Sequence, residues 1–106
     1  MGLDMCIDRC RKPFIREDGR RDYEERVEMC YWRKFWALLH ILDYEEGDAG
    51  KDVRLRKEDV EKILDFVSHN RDYWGGFQSV EKVCELLDQW DELEENGWVI
   101  NFNAGW

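Results

Sequence analysis

The segment from residue 79 to residue 97 constrains the fold most strongly, because its apolar residues recur at helical spacing. They lie three or four positions apart and share one side of a helix: Val80, Val83, Cys84, Leu87, Trp90 and Leu93. Ser79 is a favourable N-cap residue, and Asn96-Gly97 is a favourable C-terminal stop. The segment therefore predicts an amphipathic helix that packs its apolar side against the rest of the chain.

The opposite side of this predicted helix carries a row of five carboxylates: Glu81, Glu85, Asp88, Glu92 and Glu95. Like charges at such spacings oppose a helix by about 0.2–0.5 kcal/mol per pair. Lys82 is the one basic residue between positions 79 and 106. Such a row is either a solvated surface that aids solubility or a partner-binding surface for a basic groove, including one built for a nucleic-acid backbone.

Elsewhere the spacing predicts two more helices and two terminal strands. Residues 3–9 and 98–102 alternate apolar and polar side chains, which is typical of half-buried strands that can pair with each other. Residues 24–44 and 57–69 have helical spacing, residues 11–22 read as an exposed loop or a hairpin around Asp18-Gly19, and "DVRL" reads as a short strand. The predicted fold is α+β, with three helices packed on a small sheet formed by the N- and C-terminal strands.

The bulk properties narrow the class of protein. A chain of 106 residues supports a single domain, residues 1–106, and its net charge of −9 argues against direct nucleic-acid binding. No apolar run reaches the roughly 20 residues of a membrane span, and the amino end lacks the pattern of a secretory signal, so a cytoplasmic protein is expected. The cysteines are then expected to be free thiols: Cys6, Cys10, Cys30 and Cys84.

Motifs for chemistry are absent from the sequence. There is no nucleophile motif, no phosphate-binding glycine loop and no pair of metal-binding cysteine knuckles, so we predict no catalytic residue, no metal and no cofactor. An enzyme would instead need a pocket that forms only in three dimensions, where His40 or Arg33 meets several carboxylates. We therefore expect a binding protein rather than an enzyme.

The stretch "YWRKFWALLH", residues 31–40, places charges within an otherwise apolar segment. On a helix buried on most sides, the Arg33 guanidinium needs a carboxylate partner or must reach the surface, because an unpaired buried charge is very unfavourable. Asp4, on the first predicted strand, is the expected partner in a structural ion pair. The alternative is that Arg33 and His40 line a ligand cleft.

A second set of aromatic residues surrounds the Gly75-Gly76 pair. Trp74 and Phe77 are predicted in a loop, where aromatic side chains either fold back over the helices or anchor a protein interface. The terminal Trp106 allows the same two interpretations.

The motifs "MGLDM" at residues 1–5 and "YWRK" at residues 31–34 resemble those of a family of small uncharacterised proteins from bacteriophages, prophages and their hosts. Members typically open with that strand and carry the tetrapeptide on the next helix; where the family continues with aromatic residues, this chain has Cys6-Ile7-Asp8. No activity is known for the family, so no catalytic role carries over. The resemblance implies a protein that acts by occupying a host machine, particularly a defence nuclease.

Two functions follow as hypotheses. The first is a non-enzymatic inhibitor of a host nucleic-acid-handling complex, such as a CRISPR effector, which uses the row Glu81 to Glu95 as a phosphate mimic against a basic protein surface. The second is a structural protein whose homo-oligomer buries Trp74, Phe77 and Trp106. The first hypothesis predicts competition with nucleic acid, and the second predicts self-assembly.

Overall fold

A computed structural model describes residues 4–33, 36–42, 44, 51–69 and 76–105, with the backbone alone for residues 36, 37 and 76–79. The elements in chain order are β1 Asp4–Ile15, β2 Arg21–Arg33, α1 Trp36–Ile41, β3 Val53–Arg54, α2 Lys57–His69, α3 Gly76–Asp88, α4 Trp90–Glu95 and β4 Val99–Gly105. The strands form one antiparallel sheet in the order β2-β1-β4-β3. The fold is therefore mixed α+β, with four helices in the described part of the chain, one more than predicted.

The pairing of the two terminal strands is confirmed. Ile7 of β1 lies opposite Phe102 of β4, and Met5 lies opposite Ala104. The helix predicted over residues 57–69 is also confirmed, and α2 buries Val60, Ile63 and Val67 at the expected spacing. None of the helices in the described ranges is long and apolar enough to cross a membrane.

The helix predicted over residues 24–44 is wrong in its first half. Residues 21–33 form the strand β2, and among the described residues of the second half Trp36–Ile41 form the helix α1. Cys30 and Trp32 are buried while Tyr31 and Arg33 are exposed, which is the two-residue period of a strand. The apolar residues in this segment fit both the helical period and the two-residue period of a strand. Backbone pairing with β1 selects the strand.

The loop predicted over residues 11–22 is also largely wrong. Its two ends continue β1 and β2, and only residues 16–20 form a turn. That turn confirms a hairpin around Asp18-Gly19: the Gly19 N–H donates to the Arg16 carbonyl at 2.9 Å, and Gly19 has φ +85°. A glycine adopts this left-handed conformation readily.

The third predicted helix is divided in two at Gln89. Gln89 keeps right-handed dihedral angles, and its N–H donates to the Glu85 carbonyl at 3.1 Å. The stop at Asn96-Gly97 is confirmed, since Asn96 is the C-cap and Gly97 has φ +82°. The N-cap prediction is wrong, because α3 begins at Gly76 and Ser79 lies inside it.

The sheet has two faces of opposite chemistry. On the apolar face, alternate residues of three strands join one buried cluster with the helices: Met5, Ile7, Cys30, Trp32, Ile100, Phe102 and Ala104. The intervening residues form the polar face, which includes Cys6, Asp8, Asn101 and Asn103. The helices therefore cover the apolar face.

Beyond Cys10, β1 pairs with β2 alone, so residues 11–25 form a two-stranded arm. Lys12 interrupts the pairing of the arm and has φ +62°, a left-handed conformation that side-chain-bearing residues seldom adopt. Arginines of the arm line one cavity together with Asp8 and Asn103. The arm therefore curves over the polar face, and Lys12 lies near the start of the curve.

Candidate functional site

The five predicted carboxylates, Glu81, Glu85, Asp88, Glu92 and Glu95, are all exposed on α3 and α4, and we refer to them as the acidic face. The buried residues of these helices, Val83, Leu86, Trp90 and Leu93, continue at helical spacing through the break at Gln89. The acidic residues therefore stay on the side away from the core in both helices.

The acidic face is not neutralised from within the described part of the chain. None of its five side chains takes part in an ion pair there, and the nearest such contact on α4 joins Asp91 to Lys57 at 3.9 Å. In contrast, two carboxylates of the arm are paired with basic side chains: Glu25 with Arg11 and Lys12, and Asp22 with Arg16. The hydrogen bonds to these partners help to lower the pKa of Glu25, and for Asp22 the backbone N–H of Tyr23 is the larger cause of the lowered pKa.

Of the predicted aromatic anchors, the structure describes only the backbone of Phe77. Trp74 and Trp106 lie outside the described residues, while the backbone of Phe77 belongs to α3 rather than to a loop. The large apolar side chains that the structure does expose are on β1 and β2: Phe14, Ile15, Val27 and Tyr31.

The predicted ion pair between Asp4 and Arg33 is not among the ion pairs of the described chain. The two residues do lie opposite each other in the β1–β2 register, but both are exposed. The Asp4 carboxylate accepts a hydrogen bond from the Tyr31 hydroxyl at 2.5 Å, which raises the pKa of Tyr31. The expectation of a buried Arg33 is wrong, because Arg33 ends an edge strand and its guanidinium reaches solvent. His40, its proposed companion in a cleft, is exposed as well.

An ion-pair network around the buried Asp8 on the polar face was not predicted. Asp8 is 5% exposed, and its Oδ2 accepts hydrogen bonds from Arg26 Nη1 at 2.9 Å and Asn103 Nδ2 at 3.0 Å. Arg26 also binds both carboxylate oxygens of Asp52, at 3.0 and 2.6 Å. These hydrogen bonds raise the pKa of Arg26 above its usual value, and those to Asp52 contribute most. The network therefore holds Arg26 in one position.

This network forms one side of a cavity of about 460 Å³, which we call the polar cleft. Its lining joins four arginines and three aspartates with two further residues: Arg16, Arg20, Arg21, Arg26, Asp8, Asp22, Asp52, Tyr23 and Asn103. The sequence offers one signal, since three of the four arginines, Arg16, Arg20 and Arg21, lie in the segment 11–22 that was predicted as an exposed loop. Asp8, Asn103 and Asp52 come from β1, β4 and the chain before β3, so their position beside the arginines depends on the tertiary fold.

The cysteines near the cleft are free and remain protonated at neutral pH. Burial, followed by the negative charge of Asp8, raises the pKa of Cys6 to about 12, and burial raises the pKa of Cys10 to about 11. Burial likewise raises the pKa of Cys30 to about 12. Because the thiolate is the reactive form of cysteine, these thiols are unsuited to nucleophilic chemistry. Within the described ranges, no group of three or more His, Cys, Asp or Glu residues could hold a metal ion.

Comparisons with known proteins found no matching family model, no matching curated protein and no matching solved structure. The resemblance carried by "MGLDM" and "YWRK" therefore stays a prediction. One expectation attached to it is wrong, since Tyr31, Trp32 and Arg33 end the strand β2 rather than lying on a helix. Function must be argued from the surfaces of the molecule.

Proposed function

We propose that this chain is a non-enzymatic binding protein that docks its acidic face on a basic surface of a protein partner. One observation carries the proposal: five exposed carboxylates lie in a row on α3 and α4 without an ion pair in the described chain. Their mutual repulsion opposes the two helices, at about 0.2–0.5 kcal/mol per neighbouring pair. A basic partner would remove that repulsion and supply the missing counter-charges.

The spacing of the carboxylates supports mimicry of a nucleic-acid backbone. Fourteen residues separate Glu81 from Glu95, which corresponds to about 21 Å along a straight helix. Five charges over that length are about 5 Å apart, compared with about 3.4 Å of axial rise per phosphate on one DNA strand. A groove that binds phosphates can therefore place its arginines and lysines against such a row.

The proposed partner is a host defence complex that handles nucleic acid, such as a CRISPR effector or another nuclease. The acidic face supports the basic character of this partner, and the resemblance to phage and prophage proteins supports its biological setting. The mechanism is competition, because partner arginines and lysines that contact the acidic face cannot contact nucleic acid. Complementary charge also accelerates the encounter of the two proteins.

The experiment that tests the proposal reverses three charges at the centre of the acidic face. In the variant Glu85→Lys/Asp88→Lys/Glu92→Lys, the net charge rises from −9 by 6 to −3. The matched control reverses three exposed carboxylates on α2, Glu58→Lys/Glu61→Lys/Asp65→Lys, and has the same net charge. Both variants and the parent are used as bait in lysates of bacteria that express candidate defence complexes.

We expect the parent and the α2 control to retain a basic, nucleic-acid-binding complex, and the acidic-face variant to lose it. Capture should weaken as salt is added, because exposed charges are screened within about 10 Å at 0.1 M salt. Equal capture by all three proteins, or equal loss in both variants, would contradict a role for the acidic face. Melting curves of the variants show whether each remains folded.

One observation favours the alternative of self-assembly, although at another surface than Trp74 and Phe77. β2 is an edge strand of 13 residues in the described sheet, and its Val27 and Tyr31 are 39% and 50% exposed. An exposed edge offers unpaired backbone groups to a second copy, whereas charged side chains such as Glu28 oppose such pairing. Self-assembly is supported if the molecular mass in solution rises with protein concentration and the Tyr31→Lys variant has a lower mass at the same concentration. A monomeric mass at high protein concentration would exclude self-assembly.

A further inference from the structure

We propose that the polar cleft is a binding site for a small molecule that carries a phosphate monoester on a hydroxyl-rich body. The cleft lies on the polar face of the sheet, whereas the acidic face is on helices that cover the other side. This inference therefore does not depend on the proposed function, and either can fail alone.

The cleft lining carries four arginines and three aspartates, a surplus of one positive charge, and Arg26 and Arg16 hold the three aspartates in ion pairs. Arg26 is paired with Asp8 and Asp52. Arg16 is paired with Asp22. The two remaining guanidiniums belong to Arg20 and Arg21, and in the described chain neither forms an ion pair with a carboxylate of the cleft. Arg20 Nε lies 3.8 Å from a carboxylate oxygen of Asp18 in the turn, and its side chain is 83% exposed.

Two exposed guanidiniums at the mouth of the cleft suit a phosphate monoester: Arg20 has the 3.8 Å contact with Asp18, and Arg21 has no ion pair in the described chain. The second pKa of a phosphate monoester is near 6, so the group carries close to two negative charges at pH 7. Each guanidinium presents several N–H donors in a planar fork that matches phosphate oxygens. The proposed position of the phosphate is therefore beside Arg20 and Arg21, which both line the cleft.

The inner side of the cleft is suited to hydroxyl groups. Asp8 and Asp52 present carboxylates that Arg26 and Asn103 hold in place, and carboxylate oxygens can accept more than one hydrogen bond each. A volume of about 460 Å³ exceeds what inorganic phosphate alone would fill and falls within the usual range for small-molecule sites. The ligand body therefore points from the arginines towards the aspartates.

The test measures binding by calorimetry with three probes: inorganic phosphate, ribose and ribose 5-phosphate. Arg20→Gln/Arg21→Gln removes the two mouth charges, and both side chains are exposed, so the fold should persist. The matched control Arg33→Gln/Arg54→Gln removes two exposed arginines that do not line the cleft. Melting curves accompany each variant.

We expect saturable binding of ribose 5-phosphate, weaker binding of inorganic phosphate and none of ribose. Arg20→Gln/Arg21→Gln should weaken ribose 5-phosphate binding by about tenfold or more, because it removes charge-assisted hydrogen bonds, while the control keeps the parent affinity. Asn103→Ala should weaken ribose 5-phosphate more than inorganic phosphate. Absence of saturable binding, equal affinity for phosphate and ribose 5-phosphate, or equal loss in the mouth variant and the control would overturn the proposal.

Discussion

The two faces of the sheet bury their central side chains by different means. On the apolar face, Ile7 and Phe102 are 0% exposed within a cluster of hydrocarbon side chains. On the polar face, Asp8 and Asn101 are 5% and 2% exposed, and Asp8 is held by hydrogen bonds to Arg26 and Asn103. Apolar burial is non-directional and scales with area, whereas the polar network requires specific partners at specific distances.

The difference determines where the molecule can carry a binding site. The apolar face consists mainly of apolar side chains in one buried cluster with the helices, which cover it. The polar face gathers polar and charged groups from chain segments up to 95 residues apart, as in the hydrogen bond from Asn103 to Asp8. Its fixed charges can orient a ligand because their own positions are set by neighbouring charges.

The largest expected effect tests the apolar face. Phe102→Ala should lower the free energy of unfolding by about 3–5 kcal/mol, since it removes a fully buried ring and leaves a cavity beside Ile7 and Tyr44. Urea denaturation followed by circular dichroism measures the change. Phe102→Leu provides a folded reference if the alanine variant does not fold, and we expect it to lose clearly less. A loss below about 1 kcal/mol for Phe102→Ala would mean that the apolar face is not the main source of stability.

A smaller effect is expected on the polar face. Asp8→Asn keeps the shape of the side chain but removes the negative charge that Arg26 and Asn103 contact. The free energy of unfolding should therefore fall by about 1.5–3 kcal/mol. Arg26 retains Asp52 as a partner, which limits the loss. The control is Asp4→Asn on the same strand, where the carboxylate is exposed and the change should stay within about 0.5–1 kcal/mol. Equal effects of the two substitutions would show that the buried network has no special role.

The smallest effect concerns the arm that covers the polar face. Lys12 adopts a left-handed conformation, which disfavours side-chain-bearing residues by about 1–2 kcal/mol. Lys12→Gly relieves that strain but loses the 2.8 Å ion pair with Glu25 and adds flexibility to the unfolded chain, so we expect a net gain of up to about 1 kcal/mol. Lys12→Val should destabilise the protein instead, because a β-branched residue tolerates this conformation poorly. Thermal unfolding of the pair measures both, and a glycine variant no more stable than the valine variant would contradict a left-handed Lys12.

Sequence patterns were sufficient where one period had no competitor. In α2, Val60, Ile63 and Val67 fit only a helix, and the alternation of residues 3–9 and 98–102 fits only strands. In residues 24–33, Val27 and Tyr31 fit a helical stripe while Cys30 and Trp32 fit a strand, so local spacing could not decide. The exposure of the acidic face followed from the amphipathic pattern, whereas the polar cleft had no local pattern because Asp8, Arg26 and Asn103 are distant in sequence.

The sequence by itself determined the helix α2, the terminal strands and the acidic face on the outer side of α3 and α4, because each depends on side-chain periodicity within one segment. The tertiary structure alone decided that residues 21–33 form a strand, since β1 supplies the backbone partners that an isolated segment lacks. It also decided that Arg26 meets Asp8 and Asp52, because the pairing and order of the strands bring these residues together. Local spacing sets which face a side chain occupies, and only the assembled sheet sets which distant charge lies beside it.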